Sequence, residues 1–241
     1  TPDQVASFNR DGGMVLRQAV RPAQRARLIA DIDRREAATA PSELVVEGAT
    51  VSTFTKDELS FTCAMSADPG PVRDFCLSRL FCDLTQDLMG HGARLYWDQA
   101  VYKKPGKGRL FPWHQDNGYT FAEPQDYLTC WIALTDATVD NGCPWIMPGL
   151  HRQGTLAHEP RAEGLAVAGL PDEAPEALAC PAMAGDMVVF SSLTPHKTGP
   201  NLTADTRKAL IVQFIHDHAR AVDFHGRWVR ATDPARNPRL A

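Results

Sequence analysis

No two cysteines of this chain stand in C-x-x-C spacing: Cys63, Cys76, Cys82, Cys130, Cys143 and Cys180 are scattered singly, four of them inside apolar runs. That pattern favours buried, reduced thiols, as a cytoplasmic protein would keep them, over a disulfide framework or a zinc knuckle. No apolar run approaches the roughly 20 residues that a membrane-spanning helix needs, so no membrane is expected as a partner. The opening residues lack the basic-then-apolar pattern of a secretory leader, and because the chain does not start with Met its true beginning stays open. A long basic stripe is also missing. The net charge is −4 with both signs interspersed, and nucleic acid, whose phosphates need clustered Lys and Arg, is not an expected partner.

What is present suffices for one sizeable core. The chain has 241 residues, 44% of them hydrophobic, which needs neither disulfide nor oligomer to fold. A single domain over 1–241 is expected, with a helical part at about 1–93, a β core at about 94–216 and an extension at 217–241. Thr1-Pro2-Asp3-Gln4 reads as a capping box with Pro at the first helical position, opening a helix that stops at Gly12-Gly13. A strand at Met14–Leu16 and a helix from Pro22 to about Ala37 follow, with strand candidates at Val45–Val46 and Val51–Phe54. Leu77, Leu80, Phe81, Leu84 and Leu88 recur at helical steps and predict one helix over 71–89. From 94 to 216, short strands and turns alternate, as in a β-barrel or jelly roll. Residues 153–182, rich in Ala, Glu, Pro and Gly, read as a long connection of the kind that often carries specificity. Phe54, Lys56 and Phe61 are placed near a substrate mouth.

The chemistry concentrates in Pro112-Trp113-His114-Gln115-Asp116-Asn117, in His196 and in Arg207. On an extended strand His114 and Asp116 leave the same face and reach one metal ion. His196, between Pro195 and a Gly199-Pro200 turn, offers a second imidazole. Two imidazoles and one carboxylate form the facial triad that holds non-haem Fe(II) with open coordination positions. Alone the His-x-Asp pair is a weak signal; the flanking Trp, the Asn117-Gly118 turn and an Arg eleven residues beyond His196 sharpen it (207 − 196 = 11).

These segments, with Lys104-Pro105-Gly106, Trp131-Ile132-Ala133-Leu134, Asn141-Gly142-Cys143, Met147-Pro148-Gly149-Leu150-His151-Arg152 and Thr198-Gly199-Pro200-Asn201, resemble the phytanoyl-CoA dioxygenase-like family of Fe(II)/2-oxoglutarate-dependent oxygenases over nearly the whole length. The resemblance implies a mainly β fold with flanking helices, a double-stranded β-helix of the cupin-like jelly-roll type. It implies Fe(II) on His114, Asp116 and His196, with 2-oxoglutarate and O2 as co-substrates. A small-molecule substrate would be oxidised at an unactivated C–H bond, by hydroxylation or oxidative ring closure, with release of succinate and CO2. Arg207 would pair with the far carboxylate of 2-oxoglutarate, aided by Thr198, and Thr129, Trp131 and Gln99 would line the same co-substrate. Asn117, Tyr119, Phe121 and Tyr102 are candidate substrate contacts, though parity puts Tyr102 and Gln99 on opposite faces of their strand. Asp116 argues against halogenation, which in related enzymes goes with a small residue there.

Two other readings stay open at this stage: a metal-dependent cupin-type enzyme that does not use 2-oxoglutarate, and a non-catalytic jelly roll that binds a ligand through its loops. His216-Asp217-His218 could begin a zinc site, but it lacks further ligands.

Overall fold

The computed structural model describes residues 1–38, 57–90, 92–106, 108–223, 225–233 and 236–240, and the backbone alone of 42–46 and 49–54. Lys56 and the side chain of Phe54, both expected near the substrate mouth, lie outside the described residues. The chain opens with α1 (Pro2–Asp11), β1 (Gly13–Leu16) and α2 (Pro22–Ala38). Thr1 and Gln4 close the capping box, and Gly12, at φ 82°, ends α1 in the left-handed region that a side chain disfavours. The hairpin β2 (Ser42–Val46) and β3 (Ala49–Phe54) follows, then β4 (Leu59–Cys63).

The segment expected as one helix over 71–89 is two, α3 (Pro71–Cys76) and α4 (Arg79–Met89), because Ser78 is extended. On an unbroken helix, residues six apart stand about one and two-thirds turns from each other and face different ways. The break turns Phe75 and Phe81 onto each other, with ring centroids 5.0 Å apart, and Phe81 onto Phe214 of the sheet at 4.9 Å.

The β core then runs through β5 (Ala93–Lys103), β6 (Phe111–His114), the single turn α5 (Asp116–Tyr119), β7 (Ala122–Glu123), β8 (Leu128–Ala133) and β9 (Pro144–Ile146). It continues with the hairpin β10 (His158–Arg161) and β11 (Gly164–Val167), then β12 (Leu178–Ala179), β13 (Met187–Ser191), β14 (His196–Thr198) and β15 (Arg207–His216), and ends with β16 (Arg220–Val222) and β17 (Trp228–Arg230). Six strands form the larger sheet in the order β1-β13-β8-β15-β5-β4, and four the smaller one in the order β12-β9-β14-β6. Every pairing is antiparallel, and the two facing sheets make the jelly roll.

Alternation along the strands of the larger sheet decides what each face does. Leu210, Val212 and Phe214 of β15, with Cys130 and Ile132 of β8, pack on Leu28, Ile32, Phe75 and Phe81 of the helices. The opposite face carries Trp131, Ala133, Val188, Phe190 and Ala209 toward the smaller sheet. β5 follows the same rule, which settles the orientation that parity alone left open. Asp98 accepts from Met65 N (2.8 Å) and Ser66 N (3.2 Å) on the helix side, and the Tyr102 hydroxyl donates to Asp33 of α2 at 2.8 Å. Tyr102 is therefore not a cavity residue, and its expected substrate contact is corrected. Gln99 belongs to the cavity face.

Candidate active site

His114 closes β6, Asp116 opens α5 and His196 opens β14; β6 and β14 are neighbours in register, with His196 directly opposite His114. The two ligands of the His-x-Asp pair therefore converge through the turn of chain after the strand, not through shared strand parity. One donor atom from each of the three residues lies within 4.8 Å of the others, and His196 Nε2 is 3.7 Å from Asp116 Oδ1. The imidazole rings are 4.1 Å apart between centroids.

Each ring is oriented by a backbone carbonyl two residues upstream. His114 Nδ1 is 2.8 Å from Pro112 O and His196 Nδ1 is 3.0 Å from Thr194 O. A carbonyl only accepts, so Nδ1 carries a proton in both rings, which leaves Nε2 as the atom that can ligate a metal. Burial first, and then the neighbouring His196, hold the His114 pKa well below the ordinary imidazole range. The donor set, two imidazoles and a carboxylate on one side of an open space, fits a divalent metal with free positions. Among the described residues no other cluster of three such groups forms. At 216–218, His216 Nε2 lies 3.3 Å from Asp126 Oδ1, but no cluster of three ligand groups forms there among the described residues.

Around the triad the structure spends several side chains that the sequence does not mark. Gln115, fully buried between the ligands, donates to Gly154 O and Leu193 O and accepts from Leu156 N. Its backbone N–H donates to His158 Nε2 at 3.0 Å, and His158 Nδ1 in turn donates to Leu156 O. The His158 ring rests on Gly118, where a Cβ would come within 2.3 Å of it. Residues 153–182 thus contain the β10–β11 hairpin, which clasps the ligand-bearing turn. The Tyr119 hydroxyl accepts from Leu165 N (3.0 Å) on the same hairpin, while its ring stands edge-on to His114 at 5.4 Å.

Asn117 was expected at the substrate, but its amide is consumed internally. It donates to Thr155 Oγ1 and accepts from Ala122 N, and the residue is fully buried. Phe121 packs instead on Trp228. Thr129 donates its hydroxyl to Asp116 Oδ2 at 2.5 Å, a role other than the co-substrate contact expected of it. Gln213 Nε2 donates to Thr129 Oγ1 at 3.2 Å. A carboxylate only accepts, so Thr129 must donate to it and accept from Gln213, and the Gln213 amide turns Oε1 away from Thr129. Gln213 was missed; its one signal in the sequence is a polar residue in an apolar strand, at the parity of Arg207.

Arg207 opens β15 with 1% of its surface exposed, and none of its three guanidinium nitrogens has a hydrogen-bond partner. Its charge lies over the Trp131 ring, 5.1 Å from the centroid, so Trp131 braces the cation. Burial pulls the Arg207 pKa down to about 9, still protonated at neutral pH. Lys103, opposite Arg207 on β5, has its ammonium capped by the carbonyls of Arg109, Thr198 and Gly199. A buried planar cation without a counter-charge, inside the roll that holds the triad, suits a carboxylate brought by a ligand. Thr198 lies on the same face of β14 as His196.

A cavity of about 590 Å³ opens at the triad. Phe61, Tyr96, Trp97, Phe111, Tyr119 and Tyr127 supply its aromatic walls, and Gln99, Thr120, Gln213 and Asn237 its polar groups, beside His114 and Asp116. Phe61, expected near a substrate mouth, lines this cavity. Among the described lining residues there is no Lys or Arg.

The chain resembles known proteins in sequence and in fold. A phytanoyl-CoA dioxygenase from Arabidopsis thaliana is 29% identical over 146 residues, 59% of this chain and 52% of that protein; the chain spans about half the length of the curated relatives it matches. The epimerase SnoN, solved with Fe3+, alpha ketoglutarate and nogalamycin RO, superposes with a TM-score of 0.81 at 19% identity, over 100% of this chain and 98% of that one. EvdO2 from Micromonospora carbonacea var. aurantiaca, solved with 2-oxoglutarate, does so with a TM-score of 0.69 at 25% identity, over 98% and 95%. Both likenesses are to jelly-roll proteins, in keeping with the two-sheet architecture. No helix among the described residues is long and apolar enough to cross a membrane. The phytanoyl-CoA dioxygenase model matches residues 8–209, most of the chain and all three residues of the triad, and the chain belongs to that family.

Proposed function

We propose that this chain is an Fe(II)- and 2-oxoglutarate-dependent oxygenase acting on an unactivated C–H bond of a small metabolite, by hydroxylation or oxidative ring closure. His114, Asp116 and His196 hold the iron, and Arg207 pairs with the far carboxylate of 2-oxoglutarate. The observation that carries this reading is the buried guanidinium of Arg207 with all three nitrogens unpartnered, because a metal enzyme that needed no anionic co-substrate would have no use for so costly a group. When bound, iron, 2-oxoglutarate and O2 together supply an oxidant strong enough for such a bond, with succinate and CO2 released.

The protein's own groups do the rest. The upstream carbonyls fix both imidazoles with Nε2 inward, and Thr129 fixes the carboxylate. Trp131 holds Arg207 in the interior, ready to donate two parallel hydrogen bonds to one carboxylate. The aromatic walls keep water from the reacting bond and suit a ring-bearing substrate. Gln213 Oε1 offers an acceptor near Asp116, which favours a substrate with a hydroxyl or N–H donor close to the oxidised carbon, as in a sugar or amino-acid derivative. The described lining has no cation for the phosphates of a coenzyme A thioester, so a smaller metabolite is the better fit.

Anaerobic titration of the metal-free protein, first with Fe(II) and then with 2-oxoglutarate, tests the reading. A weak visible charge-transfer band on the second addition is expected. Iron binding without that band would leave a metal enzyme that works without 2-oxoglutarate.

A further inference from the structure

Asp116 presents two oxygens, yet one is already taken. Thr129 Oγ1 lies 2.5 Å from Oδ2, while Oδ1 faces His196 Nε2 at 3.7 Å. Behind Thr129 stands Gln213, donating to its oxygen at 3.2 Å. The register explains why the three groups meet: Gln213 of β15 is directly opposite Thr129 of β8, and on its other side the β15–β5 pairing shifts by one residue, passing over Tyr96 of β5. Thr129 is 1% exposed and Gln213 lines the cavity, so the row of hydrogen bonds runs from the substrate space to the carboxylate.

We infer that Thr129 and Gln213 are positioning residues that make Asp116 a single-oxygen ligand through Oδ1, with Gln213 acting through Thr129. The inference rests on the metal reading of the triad and deepens it. With Oδ2 accepting from Thr129, the carboxylate would be kept from turning both oxygens to a metal, which would leave one more position free for the co-substrates. Without that hydroxyl the carboxylate is free to turn in its turn of chain, and the metal loses a preorganised donor.

The test is Fe(II) alone, titrated anaerobically into metal-free native protein and into Thr129→Val, Thr129→Ser and Gln213→Leu, with circular dichroism reporting the fold. Thr129→Val keeps the shape and removes the hydroxyl, and about 10- to 100-fold weaker Fe(II) binding is expected, the usual scale for an outer-shell partner. Thr129→Ser restores binding to within a few-fold. Gln213→Leu, at the cavity surface, weakens Fe(II) by a smaller factor and adds nothing on the Thr129→Val background, since it acts through the same hydroxyl. This variant keeps the inference testable should Thr129→Val fail to fold. Native affinity in Thr129→Val or in Gln213→Leu, failure of Ser to rescue, or fully additive losses would overturn the relay. The functional reading fails separately: Fe(II) bound with these variant effects, but no charge-transfer band on adding 2-oxoglutarate, would sustain the relay and remove the co-substrate. A native chain that takes up no Fe(II) overturns both.

Discussion

At the scale of the residue, Arg207 sets function against stability. Burying a guanidinium without a hydrogen-bond partner costs free energy, of which the Trp131 ring offsets only part in the ligand-free fold. Arg207→Met should therefore raise the stability of the ligand-free protein by about 1–3 kcal/mol in urea denaturation, while weakening 2-oxoglutarate binding by at least about 30-fold in the anaerobic titration. A destabilised variant would mean that the guanidinium has a structural role. The convergence of His114, Asp116 and His196 was legible in the sequence, from residue types and their flanking motifs, and Arg207 was singled out by its place eleven residues beyond His196. Thr129, Gln213 and His158 were not legible in the same way: their roles depend on which strand lies beside which, and a Thr on an apolar strand carries no mark of the carboxylate it will meet. Tyr102, Asn117 and Phe121 show the converse. Each is a plausible contact by type, and each is committed elsewhere, to Asp33, to Thr155 and Ala122, and to Trp228.

At the scale of the element, one carboxylate adds to the strand pairing and packing that hold the N-terminal layer on the roll. Asp186, at the start of β13, accepts from Gln18 N (2.8 Å), Arg17 Nη1 (2.7 Å) and Met183 N (2.9 Å), and so ties the β1–α2 connection to the turn that feeds the larger sheet. Gln18 is held at φ 52°, a conformation that costs a side chain free energy. Burial alone would raise the Asp186 pKa, but the Gln18 N–H, Arg17 and the Met183 N–H outweigh it and hold the carboxyl below its ordinary range. A carboxylate depressed in the native state adds stability above its unfolded pKa of about 3.9, and that stability is lost as pH falls through the lower native value. Asp186→Asn should thus cost about 1–3 kcal/mol at pH 7, with the gap to the native chain closing below about pH 4; urea midpoints at pH 7 and pH 3 measure it, and a gap independent of pH would refute the assignment. Element boundaries were largely readable from caps and periodicity, α1 most clearly, since Thr1, Pro2, Gln4 and Gly12 all act where their types suggest. The break at Ser78 and the β10–β11 hairpin were not. Both are decided by tertiary contacts, Phe75 and Phe81 against the sheet and His158 against Gly118, while the local sequence is neutral or points the other way.

At the scale of the whole molecule, the site joins parts of the chain far apart in sequence. His114 and Asp116 come from one sheet edge and the turn after it, His196 from the neighbouring strand, and Arg207 from the larger sheet. An unfolded chain cannot assemble them, so a ligand that needs all of them binds the native state alone and stabilises it by mass action. Fe(II) at about 100 times its dissociation constant should add about 2.7 kcal/mol, a rise of about 5–10 °C in Tm for a chain of this size. On the proposed reading, 2-oxoglutarate should then add a further rise that depends on the metal, because its two ends would engage different parts of the site, the iron on the triad and Arg207. Thermal unfolding under nitrogen distinguishes the contributions. Asp116→Ala should abolish the iron-dependent rise, whereas Arg207→Met should keep the rise with Fe(II) and lose the one with 2-oxoglutarate. Equal loss of both in Arg207→Met would show that the cation shapes the metal site itself, and the division of labour between the triad and the buried guanidinium would have to be abandoned.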